Sequence, residues 1–176
     1  NTPQGAPAGT AANSTHTLTI KDNEPRLKCA GVAATIVGSP GNDLIVGTDG
    51  RDVIVARGGN DRIRALAGND RICGGPGDDT IRAAGGNDTA FGHGGEDLVN
   101  GGPGRDEIRG GGANDILNGG GGNDTLFGQR GDDSPKGNAG RDRLSGGPGA
   151  KDRCEGGPGT DALLPQAGCE TVTGVP

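Results

Sequence analysis

The chain has 176 residues and a formal net charge of -6, and it is rich in Gly (40) and Pro (11), with two Phe and no Trp, Tyr or Met. So few large apolar residues exclude a conventional layered core, and without a period the composition would read as disorder. The acidic balance supplies no basic groove with interleaved aromatics, which argues against nucleic-acid binding, and no stretch approaches the roughly 20 apolar residues of a membrane-spanning helix.

The first segment, 1–27, opens NTPQGAPAGTAANS, small and polar, as a mature chain would after signal cleavage. Within it Ser14 to Ile20, STHTLTI, alternates polar and apolar residues as an edge strand does. That strand would pack on its own coil, remain a frayed tail, or add to a neighbouring subunit. Residues 28–37 follow as a cap, in which AATIV places Ala34 where later units carry Asp and points Ile36 inward.

From 38 to 164 one unit recurs. GGPGDDTIR at Gly74 to Arg82 returns as GGPGRDEIR at Gly101, GGGGNDTLF at Gly119 and GGPGTDALL at Gly156. The register is carried by Asp43, Asp52, Asp61, Asp70, Asp79, Asp88, Asp97, Asp106, Asp115, Asp124, Asp133, Asp142, Asp152 and Asp161, spaced nine residues apart except for one interval of ten before Asp152. Two residues before each Asp stands Gly, with Ala113 and Ala150 as exceptions; two residues after it stands Ile, Leu or Val, with Ala90, Pro135 and Cys154 as exceptions. The unit is therefore G-G-x-G-x-D-x-(Ile/Leu/Val)-x, a nonapeptide whose Gly-rich part turns and whose last three residues form a short strand. A final segment, 165–176, reads as a second cap, with Glu170 at the Asp position and Val172 inward.

One inward residue per unit cannot build a sandwich, but stacking every second unit makes two parallel ladders with facing apolar rows, an all-β parallel roll of about eighteen residues per coil. Parity then sorts the carboxylates into two columns of seven, with neighbours about 4.8 Å apart. At an effective dielectric near 20, two unit charges at that distance repel by roughly 3 kcal/mol. The columns need a cation, or protons, or the coil does not form. Turn carbonyls with carboxylates make the oxygen cage that Ca²⁺ prefers. Seven carboxylates leave six gaps in each column, so up to about twelve ions are expected.

The four cysteines, Cys29, Cys73, Cys154 and Cys169, allow three disulfide connectivities and contain no CxxC, while His16 and His93 stand alone. Disulfides in an oxidising compartment suit this pattern better than zinc. The outward strand positions carry Val53, Val55, Cys73, Phe91, Phe127 and Leu164 on one face, either as solvated side chains or as a contact surface for self-association through Phe91 and Phe127 and the 14–20 strand. No nucleophile–base constellation and no phosphate loop is present, and the carboxylates are committed to the repeat. The NDT sequons at Asn87 and Asn123 come with the repeat.

The repeats from Gly38 to Leu164 resemble the hemolysin-type calcium-binding (RTX) family. CAGVAATIVGSPGNDLIVGTDGRDVIV, ICGGPGDDTIR and DRCEGGPGTD look like its small free-standing secreted β-roll proteins of actinobacteria. The resemblance implies a right-handed calcium-bound β-roll in which the fourteen Asp carboxylates are ligands, joined by main-chain carbonyls at positions such as Gly74, Pro76, Gly101, Pro103, Gly119 and Gly121. Ala113, Pro135 and the extra residue at Ala150 depart from that pattern and put the half-sites of Asp115, Asp133 and Asp152 in question. Pairing Cys29 with Cys73 and Cys154 with Cys169 would staple the two ends, although Cys154 also suits a small core position. The expected function is a secreted, non-enzymatic calcium-binding protein that folds on extracellular calcium. The alternatives are a subunit of an extracellular fibre or surface layer and, third, a module of a larger secreted hydrolase or toxin.

Overall fold

The structure, a computed structural model, describes residues 27–149, 151–164 and 168–173. The expected strand at 14–20 lies outside them. From Ile36 onward each nine-residue unit contributes one strand, and successive strands alternate between two parallel sheets of eight strands each. The first sheet runs from Leu44–Val46 to Cys169–Thr173 and the second from Ile36–Val37 to Ala162–Leu163. Pairing joins residues eighteen apart, as in Val99 between Ile81 and Leu117, so two units close one coil of a β-solenoid. The parallel β-roll expected from the period is thus the fold.

The core is the pair of inward rows. Ile45, Ile63, Ile81, Val99 and Leu117 stack on one side, and Ile36, Ile54, Ile72, Ala90, Ile108, Leu126 and Leu144 face them, all in one cluster. Each fully buried aliphatic side chain contributes about 1.5–3 kcal/mol. One residue per rung fills the space only because the two sheets lie close and the turns are short.

The turns explain the glycines and their substitutes. From the third unit onward the second position adopts positive φ even where the residue is Arg57 (φ 88), Leu66 (φ 81) or His93 (φ 84). For a residue with a Cβ that conformation costs roughly 1–2 kcal/mol. Arg57 is exposed, so Arg57→Gly should stabilise the calcium-loaded roll by about 1 kcal/mol. A guanidinium melt checks this, and an unchanged or lowered midpoint would count against the strain argument.

Both disulfides join the expected partners. Cys29–Cys73 spans 44 residues and Cys154–Cys169 spans 15, for which loop closure gives about 4 and 3 kcal/mol. The first bond ties the hairpin formed by Lys28–Cys29 and Val32–Ala33 to the outer face of the second sheet. There Cys29, Ala34, Val53, Val55 and Cys73 form a second buried cluster, with Val32, Val37 and Phe91 against it. Three of the outward residues read from the sequence as solvated or as a contact surface are therefore covered by the chain's own N-terminal hairpin. Farther along the same face the Arg109 guanidinium lies 6.0 Å from the Phe91 ring and 4.9 Å from the Phe127 ring, and it bonds Glu107 at 2.8 Å. The two Phe residues are thus bridged within the chain by a cation–π ladder.

Candidate metal centre

Each register Asp closes a turn and enters a strand, which places its main-chain N–H beside the next carboxylate of its column. The Asp43 N–H donates to Asp61 Oδ1, and the same bond, 2.8 to 2.9 Å long, repeats up both columns as far as Asp133 to Asp152 and Asp142 to Asp161. Parity puts the carboxylates in two files on opposite edges of the roll, as the spacing predicts. The ladder runs through all three departures from the pattern. Ala113 takes the positive φ of the missing glycine (φ 82), Pro135 stays in register with Leu117, and Asp152 is reached despite the inserted residue.

The second oxygen of each carboxylate behaves differently. Oδ2 of Asp61, Asp70, Asp79, Asp88, Asp97, Asp106, Asp115, Asp124, Asp133, Asp142, Asp152 and Asp161 is buried without a hydrogen-bond partner. An ionised oxygen in that position costs several kcal/mol unless a cation or a proton satisfies it. The first carboxylate of each file is handled by the chain itself. Ser39 donates its N–H to Asp43 Oδ2 at 2.6 Å and its hydroxyl to Oδ1 at 3.0 Å, and Thr48 gives both its N–H and hydroxyl to Asp52 Oδ2 at 2.7 and 3.0 Å. These two hydroxyl caps were not anticipated; their signal is Ser or Thr at the second position of the first two units only.

The orphaned oxygens share their space with main-chain carbonyls. A Cβ built on Gly101 would overlap Asp106 Oδ2 and stand 2.7 Å from the Gly119 carbonyl oxygen; on Gly74 it would overlap Asp79 Oδ2 and stand 3.1 Å from that of Gly92. Carboxylate and carbonyl oxygens of adjacent coils therefore converge over a glycine. In three units that position holds Ala56, Ala65 or Ala83, whose methyls join the apolar core instead. Of the other carbonyls expected as ligands, those of Pro76, Pro103 and Gly121 accept N–H bonds from Gly59, Gly86 and Gly104 of the preceding coil, and that of Gly101 accepts one from Ala84. A carbonyl's second lone pair stays available in such a bond. Among the described residues no three acidic, His or Cys side chains converge on one point. Any cation here must be held by few carboxylates and many carbonyls, the donor set of a hard ion such as Ca²⁺.

Burial dominates the electrostatics. It pushes the carboxyls of Asp61, Asp70, Asp97, Asp124 and Asp133 up to about 6 and those of Asp79, Asp106 and Asp115 up to about 7, against the lowering effect of the ladder hydrogen bond. Neighbouring carboxylates raise most of them further, and Asp88 and Asp142 move in the same direction. Ten interior carboxyls thus resist ionisation where no cation is bound.

A second ladder lies outside the first. The residue before each ligand Asp is often Asn or Asp, and its side-chain oxygen accepts the N–H of its counterpart one coil on, as in Asn60 to Asn42, Asp78 to Asn60, Asn87 to Asn69 and Asp132 to Asn114. Sequence reasoning treated this position as free. The recurring ND and DD pairs are the signal that could have found it.

The family described as RTX calcium-binding nonapeptide repeat matches in four copies, over residues 37–72, 74–108, 100–135 and 136–163. No curated protein matches the chain.

Proposed function

The chain belongs to the RTX calcium-binding nonapeptide-repeat family, and from that premise we propose that it is a secreted, non-enzymatic β-roll whose folding is driven by extracellular calcium. The observation that carries this reading is the set of twelve buried, partnerless Oδ2 atoms, six on each edge. They support a capacity of up to about twelve ions with these twelve Asp carboxylates as ligands, while Asp43 and Asp52, the remaining two of the fourteen in the register, would act from the capped first coil. Bound calcium supplies positive charge and a demand for oxygen ligands between coils. The chain's own part is to hold Oδ1 in the N–H ladder, aim Oδ2 at the gap and bring a carbonyl of the next coil beside it. Two disulfides, among four cysteines with none left free among the described residues, support an oxidising, extracellular setting.

The test is a calcium titration of chelator-stripped protein, followed by far-UV circular dichroism because the chain has no Trp or Tyr. A cooperative coil-to-β transition with calcium and none with equimolar magnesium is expected. Complete β structure at neutral pH after all metal is removed would refute the proposal.

A further inference from the structure

The net charge of -6 conceals a partition. Thirteen of the fourteen register carboxylates are buried, and outside the register the described residues carry seven acidic side chains against fifteen Lys and Arg, a balance of +8. An acidic sequence therefore folds into a rod with a basic exterior wherever the ladders are neutralised.

The basic groups are not evenly spread. On the outer face of the first sheet Arg62, Arg64 and Arg82 are all exposed on two adjacent strands, and Arg64 sits directly beside Arg82 in the register. Like charges opposed across strands destabilise a sheet. None of the three has an acidic partner among the described residues. Arg109 on the opposite sheet, by contrast, is held by Glu107 and two Phe rings. The register extends the same file through Asn100 and Asn118 to Lys136, whose ion pair with Glu155 at 3.1 Å on the next strand closes the track. These five donors advance one per coil over about 19 Å in a straight line. Beside them Leu98 and Ile116 stand 44% and 56% exposed, so the file of cations and amides is flanked by an apolar ridge.

We propose that this face of the calcium-loaded roll binds a linear acidic polysaccharide, with Arg62, Arg64 and Arg82 as its anion-binding anchor and Asn100, Asn118 and Lys136 as the continuing track. Guanidinium forks match carboxylate and sulfate groups, amides match hydroxyls, and the apolar ridge matches the C–H faces of sugar rings. Single-stranded nucleic acid fits less well, because no aromatic side chain lies in the file to stack a base. Duplex strands fit less well too, because a phosphate path winds to the far side of the helix within about 17 Å while the file stays straight. The proposal rests on the calcium reading: ionised ladders without calcium would oppose an anion, and an unfolded chain would disperse the file.

The experiment measures equilibrium binding of the full, disulfide-intact chain to dextran sulfate in calcium, with neutral dextran as control and circular dichroism on the same samples. Wild type should bind dextran sulfate, weaken as salt rises and ignore neutral dextran. R62S/R64S/R82S should lose affinity by at least about tenfold, whereas R105S/R141S/R143S, which removes the same charge from another surface, should stay close to wild type. Equal losses in the two variants, no binding by the folded wild type, or equally tight binding of a DNA duplex would overturn the proposal. Absence of the calcium-driven β transition would refute the calcium reading instead.

Discussion

With calcium chelated, the chain is expected to be a coil at about pH 7.5 and to regain β structure as the pH is lowered toward about 4. Carboxyls held at about 6 to 7 in the folded state titrate near 3.9 in the unfolded chain. A group whose folded value is raised favours folding fully below its unfolded value, and loses that contribution as pH rises through the folded value. The metal-free roll should therefore gain stability as pH falls from about 7 to about 4. Each such carboxylate, kept ionised, costs the fold roughly 3 kcal/mol, and eight reach about 6 or 7. Neighbours in a file titrate as a coupled set and their costs do not simply add, yet a few such carboxylates already match the roughly 5–15 kcal/mol stability of a typical domain. Protons and calcium relieve the same orphaned oxygens, so the calcium needed to reach the β state should fall as pH drops below about 7. Circular dichroism against pH, with and without calcium, measures both effects. A metal-free chain that stays a coil from pH 7.5 to pH 4 would show that burial of the carboxylates is not what prevents folding.

The repeat was legible because two physical demands coincide in one residue type. Asp at every ninth position both accepts the N–H of its column neighbour and leaves an oxygen facing the gap, so the period, the two columns and the need for a cation could all be read from spacing. The alternation of Ile45 with Ile54 and of Ile63 with Ile72 in facing rows followed from parity alone. What stayed hidden depends on which strands or ends meet in space. Ser39 and Thr48 matter because they belong to the first coil, where no earlier carboxylate exists. Val53, Val55 and Cys73 looked like an exposed apolar face because nothing in their own units shows that the Lys28–Ala33 hairpin folds back over them. The sign of the surface was hidden for a related reason. A net charge weighs a buried carboxylate like an exposed one, so the acidic balance described the ladders and not the exterior.

Replacing Asp79, Asp97 and Asp115 together by Asn is expected to weaken calcium binding and, at the same time, to make the metal-free roll more stable at neutral pH. These three are consecutive in one column. The Asn amide oxygen can accept the N–H that Asp Oδ1 accepts, so the ladder survives. The amide nitrogen then occupies the orphaned position, where it brings a donor in place of a charge, and at Asp79 and Asp97 the carbonyls of Gly92 and Gly110 share that space. A donor facing a carbonyl is satisfied where a carboxylate oxygen is not. Three Asn residues remove ligands from the four gaps between Asp61 and Asp133, so equilibrium dialysis should find about four fewer ions, and circular dichroism in chelator should show more β structure than wild type. The triple Ala variant separates charge from hydrogen bonding, because it relieves the repulsion but deletes three rungs of the N–H ladder. It should lose calcium equally and gain less metal-free structure. If the Asn variant binds as much calcium as wild type, the Asp carboxylates are not the ligands; if it has less metal-free structure, ladder repulsion is not what holds the chain unfolded.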